Sequence, residues 1–255
     1  ARTLAESVQG VVLNDLCRET NTLLLEQVQT CVSRAYDRIG DLNITHFEAG
    51  GQPRNVAGVF ESSLGGRQIQ VRDINVAEAL SRASARVGQL DGQATVHGDL
   101  HLGNVLVRGN GPVFIDFGQA GAGHPVHDVA KLDSQIWFRA FRLTEGIDRL
   151  SDLLRKIYAS GKSTEEVFSQ FSSLVSFTSN KLCIESAIAA RKKALELVQG
   201  YGGELADVAA MYLVYAVGEL LASPASAPVA CAFIEVMAEL VSVSTGPDVC
   251  SVPPC

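Results

Sequence analysis

Hydrophobic positions recur every three or four residues over most of this chain, and give way to strand-like alternation only near its middle. Leu23, Leu24, Val28, Cys31, Val32, Ala35 and Ile39 follow helical steps, so residues 3–39 are predicted to form one or two amphipathic helices that stop at Gly40. From 41 to 74 the chain is polar and glycine-rich, with Gly-Gly at 50 and again at 65, which predicts a long loop holding two short strands, one in "RQIQVR". Asn75 is placed to cap a helix over 76–90, with Val76, Leu80, Ala83, Val87 and Leu90 on one face. Beyond residue 134, helical spacing returns at 145–159, 164–177, 179–199, 204–222 and 226–243, punctuated by Gly161, by Gly200, Gly202 and Gly203, and by Pro224 and Pro228. The outline is an α+β fold, mainly α-helical, with a small β insert. Within the helices, Trp137, Phe138 and Phe141 form an aromatic stripe that reads as core.

The insert is where polar residues collect. "HGDLHLGNVLVRGNGPVFIDFG", residues 97–118, reads as two strands, "NVLV" and "VFID", joined by the five-residue turn "RGNGP". If Val107 faces Val113, then Val105 faces Ile115 and Asn104 faces Asp116, and opposed side chains in such a ladder sit about 5 Å apart. Val105, Val107, Val113 and Ile115 would then share a buried face. Asp99, on the turn into the first strand, would reach the same open end. Two carboxylates and an amide oxygen crowded together need a cation or protons to offset their repulsion. An oxygen-only set suits Mg2+ rather than a softer metal.

Composition narrows the partners. The 255 residues hold 28 acidic and 21 basic side chains, a formal charge of -7, with no basic run to track a nucleic-acid backbone or an anionic membrane. "VAAMYLVYAVGELLA" (208–222) is shorter than a bilayer span needs and has Asp207 and Glu219 at its ends, so it reads as a buried helix. Four of the six cysteines, Cys17, Cys31, Cys183 and Cys231, stand singly in apolar patterns, pointing to a reduced, cytoplasmic protein. Cys250 and Cys255 close the tail without a second pair to complete a zinc site. The chain starts without Met, which suggests a domain of a longer parent chain or a processed terminus.

"HGDLHLGN" followed by "IDFG" resembles the catalytic and metal-binding loops of the aminoglycoside phosphotransferase and choline kinase branch of the protein-kinase-like fold, where H-G-D-x4-N replaces H-R-D-x4-N. The resemblance implies the C-terminal lobe of that fold, a single domain over 1–255. In it, 1–96 supplies helices and a Gly-rich loop, 97–133 the catalytic and metal loops, 134–245 a helical subdomain and 246–255 a tail. It implies ATP and Mg2+ as cofactors and transfer of the γ-phosphate to a hydroxyl acceptor of unknown identity. Asp99 would accept or orient the acceptor's proton, and Asn104 and Asp116 would hold Mg2+ against the nucleotide. His97 would fix the loop, Gly98 and Gly118 would serve as backbone positions for tight turns, and Asp128 in "GHPVHDVAKLD" would brace the catalytic loop. The extended stretch "IDFGQAGAGHPVHDVAKLD" is also similar to phosphotransferase-like modules within larger bacterial signalling or defence proteins.

One part of the pattern is missing. Neither G-x-G-x-x-G nor a V-A-I-K-like strand precedes His97, and the first lysine of the chain is Lys131. This implies a nucleotide lobe upstream, a regulatory pseudokinase without turnover, or a minimal cover made by 41–74 with Arg54, Arg67 or Arg72 replacing the lysine. A competing reading takes His124 and His127, spaced H-x-x-H, as zinc ligands together with His97 and His101.

Overall fold

The computed structural model describes residues 11–12, 22–44, 56–108 and 111–243. In chain order these form β1 (Val11–Val12), α1 (Thr22–Ile44), α2 (Val56–Leu64), β2 (Gln70–Val71), β3 (Ile74–Asn75), α3 (Val76–Leu90), β4 (Ala94–Val96), β5 (Val105–Arg108), β6 (Gly111–Phe114) and β7 (Gly121–Gly123). The helices α4 (His127–Ala140), α5 (Ile147–Leu154), α6 (Thr164–Gln170), α7 (Thr178–Gly200), α8 (Leu205–Ala222) and α9 (Ala227–Val243) follow. The fold is therefore mostly helical, with three small antiparallel sheets ordered β1-β5-β6, β2-β3 and β4-β7.

Helix α3 begins where its cap requires: the Asn75 side chain accepts from the backbone N–H of Ala77 and Glu78, and Val76, Leu80, Ala83 and Val87 are buried. Helix α1 instead runs through Gly40. A Cβ at Gly40 would meet only the end of the Lys193 side chain on α7, at 3.1 Å from Nζ, and an isolated glycine inside a helical pattern is tolerated, so it does not end the helix. The expected loop over 41–74 contains α2, whose Ala57 and Leu64 are buried against α3 and α8. Its short length and internal Gly58 hide the helical period. The two short strands expected in that stretch are β2 and β3.

The core sits between α4, α7, α8 and α9. Trp137 is fully buried, its ring 4.9 Å from Phe141 and 5.6 Å from Phe233, and Phe138 also packs on Phe233. Helix α8 is long and apolar enough to cross a membrane, but 72% of it is buried inside the fold, as a core helix is. Cys31 and Cys183 are buried among apolar side chains, whereas Cys17, Cys250 and Cys255 lie outside the described residues.

The hairpin corrects the expected register by one residue. Val105 pairs with Phe114, Leu106 with Val113, Val107 with Pro112 and Arg108 with Gly111, leaving only 109 and 110, outside the described residues, between the strands. The connection is thus two residues long instead of five, and turn length sets hairpin register. Strand β5 is covered on both faces, since Val105 and Leu106 are both fully buried, so alternation could not fix its pairing. A further strand, β1, pairs Val11 with Val107 and Val12 with Leu106, within a region expected to be helical. The rest of 3–21 lies outside the described residues.

Candidate functional site

The β4–β7 ribbon pairs Ala94–Val96 with Gly121–Gly123 and so ties together the two ends of the polar segment between them. Within that segment, backbone groups are fixed mainly by side chains. Asp128, in the first turn of α4 and wholly buried, accepts from the N–H of His97 at 2.6 Å and of Gly98 at 3.1 Å. Gly98 holds φ at +80°, and a Cβ there would come within 2.1 Å of the Gln119 carbonyl oxygen, so no other residue fits. His97 is buried, its Nε2 2.8 Å from the carbonyl of Ile115 and its Nδ1 accepting from the N–H of Asp99 at 3.4 Å. Phe117 lies 4.6 Å from its ring. Gly118 is less constrained: a Cβ there would meet Asp116 Oδ1 at 3.4 Å, ordinary contact, so the structure imposes no need for glycine at that position.

Asn104 closes a short 3-10 turn over Leu102–Asn104, capped by the His101 ring, whose Nδ1 accepts from Gly103 N–H. The Asn104 amide donates from Nδ2 to the Asp99 carbonyl at 2.9 Å, and the Asn104 carbonyl accepts from Ile115 N–H at 3.0 Å. Because of the one-residue slip, Ile115 stands beside Asn104, and Asp116 lies just past the strand. Asp116 takes the left-handed conformation, φ 62° and ψ 59°, and exposes its carboxylate. His101 stands beside Asp99, its Nε2 4.0 Å from Asp99 Oδ2; burial and the Lys131 ammonium keep it from protonating easily, and the charges of Asp99 and Asp116 oppose that effect.

Sequence reasoning missed the partner of Asp99. Lys131, on the same face of α4 as Asp128, bonds through Nζ to Asp99 Oδ1. Burial would raise the Asp99 carboxyl, but the Lys131 ammonium, with His101 and His97, holds it below the usual carboxylate range. The signal available in the sequence was the three-residue step from Asp128 to Lys131 on a predicted helix. Beside this pair opens a cleft of about 500 Å³, lined by Val56, Val59 and Phe60 of α2 and by Tyr215, Gly218 and Ala222 of α8.

Asn104 and Asp116 fit a hard cation in part. The Asn104 amide spends its nitrogen on Asp99 and leaves Oδ1 as an acceptor, while no backbone N–H is capped by the Asp116 carboxylate. One carboxylate and one amide oxygen match the way Mg2+ is held when substrate phosphates complete its shell. The zinc set does not assemble: His97, His101 and His127 each bond backbone groups through a ring nitrogen, and the described residues contain no group of three or more His, Cys, Asp or Glu able to hold a metal. His124 is buried, which pushes its pKa down to about 4. Of the arginines considered in place of an upstream lysine, Arg72 pairs with Asp148 and Glu235, Arg67 bonds the Ser63 carbonyl, and Arg54 lies outside the described residues.

Residues 56–161 match the phosphotransferase enzyme family. The match runs from the start of α2 to just past α5 and takes in Asp99, Asn104, Asp116, Asp128 and Lys131, but not the α8 wall of the cleft. No curated protein matches the chain.

Proposed function

We propose that the protein transfers the γ-phosphoryl group of ATP, with Mg2+, to a hydroxyl acceptor. The observation that supports this is the hydrogen-bonded loop in which Asn104 Nδ2 holds the Asp99 carbonyl and the Asn104 carbonyl holds Ile115, next to Asp116, with a third carboxylate, Asp128, spent on the backbone of His97 and Gly98. Asn104 Oδ1 and the Asp116 carboxylate would hold Mg2+, which supplies neutralisation of charge on the phosphate oxygens. Asp99 receives or orients the proton of the attacking hydroxyl. Asn104 fixes the Asp99 backbone through its amide, and His97 does the same from the other side. The acceptor enters through the cleft between α2 and α8, which Lys131, the partner of Asp99, also lines. Catalysis on this plan is positioning and electrostatic stabilisation, without a covalent protein intermediate.

A second reading, a nucleotide-binding module without turnover, draws support from the commitment of Arg67 and Arg72 to contacts elsewhere. Calorimetric titration with Mg-ATP, paired with an assay for phosphate release or transfer, separates the two. Asp116→Ala should lose Mg2+-dependent nucleotide binding, and Asp99→Asn should bind normally but lose turnover. Binding without turnover in the parent favours the module, and an Asp99→Asn protein as active as the parent removes Asp99 from its role.

A further inference from the structure

We propose that Lys131 is a positioning residue for phosphate transfer, locking the Asp99 carboxylate in the orientation that turns Oδ2 toward the acceptor. This rests on the phosphotransferase reading of the site. The backbone of Asp99 is already held on both sides, its N–H by His97 and its carbonyl by Asn104. What remains free is rotation of the side chain, and a carboxylate torsion has a broad minimum that packing alone does not narrow. The Lys131 ammonium occupies Oδ1 and removes that freedom, leaving Oδ2 as the oxygen available to a hydroxyl.

Helix α4 makes this possible. Asp128 and Lys131 are three residues apart on one face, so a single helical turn fixes both the loop backbone, through Asp128, and the reacting side chain, through Lys131. Gln135, one turn further along the same face, lines the cleft with Lys131. Lys131 is also the one Lys or Arg among the described residues lining that cleft. With side chains 20% and 29% exposed, the Lys131–Asp99 pair is partly solvated, and pairs of that kind contribute little to stability. Its placement at the mouth of the cleft is therefore better explained by the reaction than by the fold.

In the step itself, the acceptor oxygen bonds to the γ-phosphorus as the bond from that phosphorus to the β,γ-bridging oxygen breaks. The bonding pair leaves with ADP, the hydroxyl proton passes to Asp99 Oδ2, and Lys131 keeps all its protons.

The test uses the full chain with Mg-ATP and water as acceptor, read as release of inorganic phosphate. Lys131→Met should lower kcat about 100-fold, the scale of a misplaced reacting group, with KM for Mg-ATP unchanged. Lys131→Arg, which keeps the charge, should recover most of the loss. In an Asp99→Asn background, Lys131→Met should cost nothing further, because the group it orients is already gone. Lys131→Met should also melt within about 4 °C of the parent, as a partly exposed pair implies. Parent-like kcat in Lys131→Met, a change confined to KM, or a full additional loss in the Asp99→Asn background would each overturn the assignment while leaving the phosphotransferase reading in place. A parent that binds Mg-ATP yet releases no phosphate, or that does not bind it, overturns that reading and this assignment together.

Discussion

Two buried carboxylates on one helix do opposite jobs. Asp128 and Asp133 are both fully buried on α4, and five residues of helix turn them about 140° apart. Asp128 faces the loop that starts at His97 and accepts from the backbone N–H groups of His97 and Gly98. Asp133 faces the helical bundle and accepts from four hydroxyls: Tyr158 at 2.6 Å, Tyr212 at 2.9 Å, Ser186 at 3.0 Å and Tyr36 at 3.3 Å. Those donors come from α1, α7, α8 and the turn after α5, so one side chain links four separate segments of the fold. The lesson lies in the donors. Backbone donors make a carboxylate a brace for a loop, whereas side-chain donors from distant helices make it a bolt for the core.

The comparison predicts different failures. Asp133→Ala removes the shared acceptor of four buried hydroxyls, of which Tyr36 and Ser186 keep their 2.7 Å bond to each other, and should reduce stability by about 3–5 kcal/mol in urea or guanidinium unfolding. A loss below about 1 kcal/mol would mean that the hydroxyls find other partners and that Asp133 is no bolt. Asp128→Ala leaves two buried backbone N–H groups, those of His97 and Gly98, without their acceptor, against four hydroxyls at Asp133, and should cost about 1–3 kcal/mol. Its effect on phosphate release should be far larger, about 100-fold or more, because Asp99 sits on the loop that Asp128 holds. Circular dichroism melts and phosphate-release rates measured on the same preparations give both numbers. Equal ranking of the two variants in stability and in activity would erase the distinction between brace and bolt.

Much of this arrangement was legible from residue order, and the limits have physical causes. Helix α3 could be placed to the residue because Asn75 caps it and its apolar face is uninterrupted. The loop motif was legible because local hydrogen bonds build it: His101 caps its own turn and Asn104 reaches back five residues to Asp99. The hairpin register was not, because β5 is buried on both faces and loses the alternation that would have fixed it. Helix α2 was hidden by its length, and β1 is two residues of backbone pairing with no period to read. The role of Asp133 was out of reach for another reason, since its partners lie 97, 25, 53 and 79 residues away in sequence and carry no mutual spacing signal. Lys131 stands between these cases: its helical step from Asp128 was visible, but its contact with Asp99 depends on how α4 meets the loop.

The dependence of stability on pH gives the most selective test. Burial pushes the Asp133 carboxyl from 3.8 up to about 6, against the lowering effect of the hydroxyls of Tyr158, Tyr212, Ser186 and Tyr36 that bond it. The folded state therefore binds a proton at Asp133 more tightly than the unfolded chain does. The stability this contributes is fully present below pH 3.8 and is lost as pH rises through about 6. Asp128 is shifted in the same direction, chiefly by burial, while Asp99 is shifted oppositely, so the stability of the parent alone mixes several slopes. Comparing the parent with Asp133→Asn removes that mixture, because every other group is common to both proteins and cancels. The parent's advantage over Asp133→Asn should shrink between pH 4 and pH 6 and level off above that range. Denaturant midpoints across the window measure it directly, and a difference that stays constant with pH would show that Asp133 remains ionised in the folded protein, held so by its hydroxyls.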